Sequence, residues 1–124
     1  EKKSIKYSGF FDATAEQQEA SMYFFRKILN MKKFDNVYFI IFPTVEDLKR
    51  IYLKGDNVYN QKWYKELLKI KNEVNYGFKI INIAEYFQSP EEYKNLLHTC
   101  DGHLNEAGNE FVSEILYREI KNLN

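Results

Sequence analysis

The sequence predicts an α/β domain built on a parallel sheet, and three observations carry that expectation. Two short, almost wholly apolar runs, residues 37–42 and 78–83, have strand length and are rich in β-branched and aromatic side chains. Amphipathic stretches with helical spacing stand before, between and after them. Apolar runs that alternate with helices form βαβ units, whose strands are covered from both sides.

The elements follow in order. Residues 1–13 show no sustained period and read as an extended lead-in. Asp12 or Thr14 can cap the first helix, with Thr14-Ala15-Glu16-Gln17 in the form of a capping box, and Met22, Phe24/Phe25 and Ile28/Leu29 then recur as one helical stripe. Phe34-Asp35-Asn36 turns into the first strand, which Pro43 stops. Thr44 caps a short helix to about Leu53, and Gly55-Asp56-Asn57 is a turn. Trp63/Tyr64, Leu67/Leu68 and Val74 mark a further helix over 60–75, with Gly77 as its expected C-terminal stop. The second strand follows, interrupted near its end by Asn82. Ser89-Pro90-Glu91-Glu92 opens a helix with a Ser cap, Pro at the first position and acids at the positive end of the dipole. The last helix starts at Asn105-Glu106-Ala107 and carries Phe111, Val112, Ile115, Leu116, Ile120 and Leu123 on one face. Two parallel strands make a thin core with open edges, so the chain reads as a single domain, 1–124, that is part of a larger sheet.

Composition narrows the function. The chain has 124 residues, 44% hydrophobic and 17% aromatic, enough for one core. Its 18 basic and 18 acidic residues cancel, which argues against a nucleic-acid footprint. No apolar run approaches the roughly 20 residues of a membrane span, and no signal-peptide pattern is present. The single Cys100 leaves no internal disulfide to form.

The segment Asp101-Gly102-His103-Leu104-Asn105-Glu106-Ala107-Gly108 is the most specific in the chain. A serine hydroxyl attacks an ester when an imidazole takes its proton. The imidazole needs a carboxylate on its other nitrogen, to fix the tautomer and stabilise the imidazolium formed during attack. Asp101 and His103 can share one short loop, with Gly102 relieving crowding in the turn. Asn105 can cap the next helix, and Gly108 can let its first turn approach the sheet.

This block, followed by an amphipathic terminal helix, resembles the last conserved block of the SGNH (GDSL-like) hydrolases, and related SGNH acyltransferases carry a similar loop. The strand ending at Phe42-Pro43, the further helices and the last strand fit the same family over most of residues 14–124. The resemblance implies a flavodoxin-like three-layer α/β/α sandwich, with His103 as general base, Asp101 as its orienting partner and no cofactor. It implies a small-molecule, lipid or carbohydrate ester as substrate. The family's Gly-Asp-Ser block is not matched: the serines are Ser4, Ser8, Ser21, Ser89 and Ser113, none in that context. Its oxyanion-hole Gly and Asn blocks are unmatched too. The implied upstream half would supply the nucleophile, and the isolated chain would be inactive and prone to self-association.

Plainer readings stand beside this one. An Asp-x-His pair also occurs in ordinary polar turns, and the chain could be a non-catalytic α/β binding or assembly module. His98, Cys100, Asp101 and His103 invite a metal reading, but their spacing fits no common zinc pattern. His98 fits a helix C-terminus, and Cys100 a small semi-buried position beside an acid that opposes thiolate formation. Trp63, Tyr64, Tyr86, Phe87 and Tyr93 could line an acyl or sugar site, although helical spacing favours the core or an interface.

Overall fold

A computed structural model describes residues 6–31 and 33–121. Its helices are α1 (Gly9–Asp12), α2 (Ala15–Met31), α3 (Val45–Lys54), α4 (Lys62–Glu73), α5 (Pro90–Lys94) and α6 (Glu106–Lys121). Strands β1 (Asn36–Ile41) and β2 (Gly77–Asn82) pair in parallel, in register from Asn36 opposite Gly77 to Ile41 opposite Asn82. A parallel pair requires a crossover, and α3, a 3-10 turn at Val58–Asn60 and α4 supply it. The α/β class and the parallel pairing are as the sequence predicts.

Alternation along the strands sets Val37, Phe39, Phe78 and Ile80 on one face. Phe25 of α2 meets Phe39 and Phe78 there, with ring centroids 4.7 and 6.1 Å apart. Arg26 ties α2 to α4 through Glu73 at 2.5 Å and Glu66 at 3.6 Å. Lys79 projects from the other face and reaches Glu119 of α6 at 2.5 Å. Near the opposite end of α6, Phe111 packs on Phe87, which lies beyond β2, at 5.3 Å. The last helix therefore runs against the strand direction, and its N-terminus lies toward the carboxyl ends of the strands. Leu48, Leu67, Ile70, Ile83 and Ile115 are fully buried, each contributing about 1.5–3 kcal/mol of transfer free energy.

Local chemistry explains the boundaries. Thr14 and Gln17 bond reciprocally, Thr14 N to Gln17 Oε1 at 2.9 Å and Gln17 N to Thr14 Oγ1 at 3.2 Å, so α2 starts on its capping box. Gly55 ends α3 at φ 74°, in the left-handed region. Three expectations are corrected. Gly77 begins β2 rather than stopping α4: the helix already ends at Glu73, where Val74 N donates to Ile70 O at 3.2 Å, and Gly77 pairs with Asn36 of β1. Ile83 lies outside the strand: the Asn82 side chain accepts from Ala84 N at 3.1 Å and starts a 3-10 turn, Ile83–Tyr86. The lead-in turns helical at Gly9, since Ser8 Oγ and Asp12 Oδ2 cap α1 with bonds of 3.3 and 2.8 Å. Ser4 and Leu123 lie outside the described residues.

The phase of the ladder is set by Gly77 N donating to Asp35 O at 3.3 Å. The backbone groups of Val37 and Phe39 thus face β2, and those of Tyr38 and Ile40 face away. Among the described residues no third strand covers that side. Helix α2 buries no residue fully and leaves Phe24, Ile28 and Met31 exposed.

Candidate functional site

The chain leaves α5 at Lys94 and forms a loop closed at its neck. Leu97 and Leu104 make an antiparallel bridge, His98 N donates to His103 O at 2.8 Å, and Asn105 N donates to Leu96 O at 2.9 Å. Gly102 sits at φ 74°, and a side chain there would meet nothing within 4 Å of its Cβ, so its role is conformational and not the relief of crowding.

Inside this loop Asp101 Oδ1 accepts from the backbone N–H of His103 at 3.0 Å. Its other oxygen, Oδ2, lies 3.2 Å from His103 Nδ1. The backbone N–H of His103, then its imidazole, hold the Asp101 carboxyl below the usual carboxylate range. The structure thus brings together the two residues the sequence singles out. It also leaves them in water, with side chains 55% exposed at Asp101 and 82% at His103.

The remainder of the block is scaffolding. Asn105 Oδ1 accepts from Gly108 N at 2.9 Å and caps α6. Its amide donates to Asn95 O at 3.0 Å and Leu97 O at 3.3 Å, so one side chain fixes both the helix and the loop neck. A Cβ at Gly108 would lie 2.2 Å from Leu96 O. The close approach is therefore to the loop neck, not to the sheet.

Chemically, the pair offers an imidazole with a carboxylate on Nδ1 and with Nε2 open to receive a proton. No described serine is bonded to it. Ser8 donates to Asp47, Ser21 to Gln17 O and Ser113 to Glu110 O, while Ser89 caps α5. Among the described residues no three His, Cys, Asp or Glu side chains converge to hold a metal ion. Cys100 is exposed rather than semi-buried. His98 lies beyond α5 and serves the loop neck through its backbone, not a helix terminus. Of the aromatic group, Tyr64, Phe87 and Tyr93 are buried core, and Trp63 donates Nε1 to Phe10 O at 2.9 Å.

Two arrangements are hard to foresee from sequence. Asp47 shows itself only as the third residue after a helix cap, yet it also reaches Ser8. Tyr52, Tyr59, Asn82 and Glu85 gather around one cleft, and a buried Asn in an apolar run is the sole hint of it. No protein-family model matches the chain, and no curated protein or solved structure matches it either.

Proposed function

We propose that the chain is the C-terminal part of an SGNH-type serine ester hydrolase or acyltransferase. The observation that carries this reading is the Asp101–His103 contact in a loop pinned to the first turn of α6. The orientation of α6, with its N-terminus toward the carboxyl ends of the strands, supports it further. In this reading upstream strands extend the sheet along the open side of β1 into a flavodoxin-like three-layer α/β/α sandwich. They also cover the solvent-exposed pair.

A serine of that upstream half gives its proton to His103 Nε2 as its oxygen attacks the ester carbonyl. Asp101 holds the ring and stabilises the imidazolium. The imidazolium then returns the proton to the departing alcohol, leaving an acyl-serine. Water resolves it in a hydrolase, and an acceptor hydroxyl in a transferase. The ester is a small-molecule, lipid or carbohydrate ester, and the reaction needs no cofactor.

Labelling the full-length protein with a fluorophosphonate probe tests the reading. The expected result is one labelled serine upstream of this segment, with labelling lost in His103→Ala. Labelling absent from the native protein, or unchanged in the variant, contradicts it. The high exposure of His103 favours a second reading, a non-catalytic binding or assembly module. A reading frame without an upstream Gly-Asp-Ser segment would select that one.

A further inference from the structure

We infer that the cleft at the carboxyl end of β2 is a saccharide-binding site, an assignment that stands apart from the Asp101–His103 pair. The cleft has a volume of about 330 Å³ and lies between the end of α3 and the 3-10 turns Val58–Asn60 and Ile83–Tyr86. That volume is at the lower end for small-molecule sites, and the carboxyl end of parallel strands is where α/β sheets place their ligands.

Its walls combine two chemistries. Tyr52 and Tyr59 are each 42% exposed. Both are anchored by their hydroxyls, Tyr52 to Phe87 O and Tyr59 to Glu85 Oε1, and Tyr59 stands edge-on to Tyr64 at 5.0 Å. They are pre-positioned surfaces that lose little side-chain freedom on binding. Around them Asp56, Asn57 and Glu85 supply a polar rim, while the lining Asn82 is buried with its Oδ1 accepting from Ala84 N at 3.1 Å. Burial, reinforced by the Glu85 carboxylate, pushes the Tyr59 phenol up to about 12, so it remains a donor at neutral pH.

Charge decides the ligand class. Among the described residues no Lys, Arg or His lines the cleft, and two carboxylates repel phosphates and carboxylates. Asp56 is paired with Arg50 Nε at 2.5 Å, a guanidinium it shares with Asp12 at 2.8 Å, and among the described residues Glu85 is the lining carboxylate with no basic partner. One exposed carboxylate holds a small cation weakly. An uncharged ring with apolar C–H faces and a rim of hydroxyl donors matches both the tyrosine surfaces and the carboxylate and amide acceptors.

The test is titration of the ¹⁵N-labelled full chain with cellotriose, chitotriose and xylotriose, and separately with tetramethylammonium chloride. The expected result is a saturable shift of the Asn57, Tyr59 and Glu85 amides with at least one trisaccharide. Glu85→Gln should weaken that binding about ten-fold, the loss of one charge-assisted hydrogen bond, with an unchanged circular dichroism spectrum. The assignment is overturned if no trisaccharide shifts these amides, if only tetramethylammonium does, or if Glu85→Gln leaves the affinity unchanged.

Discussion

The hydroxyl of Ser8 and the carboxylate of Asp47 meet at 2.5 Å across 39 residues of sequence, both almost wholly buried. The same Asp47 oxygen accepts Phe10 N at 3.0 Å, and the other accepts Thr44 N at 2.6 Å to complete the capping box of α3. One side chain thus starts a helix and fastens α1 against it. Asp47→Ala leaves Ser8, Phe10 and Thr44 donors without an acceptor and should cost about 3 kcal/mol. Urea unfolding measures this, and the Phe10 amide should lose its exchange protection. A loss below about 1 kcal/mol would show that the clasp contributes little.

The two glycines of the Asp101–Gly108 block should respond differently. Gly108→Ala drives a methyl into the Leu96 carbonyl, at 2.2 Å, and the backbone must shift. Overpacking outweighs the gain in helix propensity, for a net cost of about 1–2 kcal/mol. Gly102→Ala meets open space and costs about 1 kcal/mol, from its positive φ alone. Thermal unfolding of the two variants, with Gly102→Asn as the tolerated control, checks the contrast.

Glu119 lies between Lys79 and Tyr86 and links titrations at both ends of the pH range. Lys79, then the Tyr86 hydroxyl, hold its carboxyl below the usual range, and the same contact pushes the Tyr86 phenol up to about 12. A depressed carboxyl binds fewer protons folded than unfolded. Its stabilisation is present above the ordinary value of 4.5 and is lost as pH falls through the lowered one. The raised phenol works in the opposite sense, stabilising below 10.0 and losing that contribution as pH rises through about 12. Glu119→Gln should bring the phenol back toward about 10, read by absorbance at alkaline pH. An unmoved titration curve would contradict the pairing.

If the proposed esterase reading holds, Asp101→Asn in the protein that carries the upstream half should lower turnover of p-nitrophenyl acetate by about 10⁴-fold with the fold intact, because an amide no longer fixes the reactive tautomer. Near-normal turnover would remove Asp101 from the mechanism.

The outward-facing backbone groups of Tyr38 and Ile40 make β1 a template for strand addition. The chain by itself should self-associate in sedimentation velocity as concentration rises. Ile40→Pro should reduce this without touching the ladder, since the Ile40 N–H points away from β2. A single monomeric boundary at high concentration in the native chain would count against this.

Local signals make much of the fold legible. The Thr14, Thr44 and Ser89 caps set helix starts correctly, because capping is decided within four residues. Asp101 and His103 are legible for the same reason, being two positions apart in one loop. What escapes depends on distant partners. Gly77 carries the stop signal of a helix, yet it pairs with Asn36 on the neighbouring strand. The helical turn of α1 rests on Asp47, and the exposure of His103 depends on what stands across from it in space.

Helix α6 is held at both ends, by Gly108 against Leu96 at one and by Glu119 between Lys79 and Tyr86 at the other. The loop that carries Asp101 and His103 is thereby tied to β2 through a single helix, with Asn105 fastening it at one end and Lys79 holding the other.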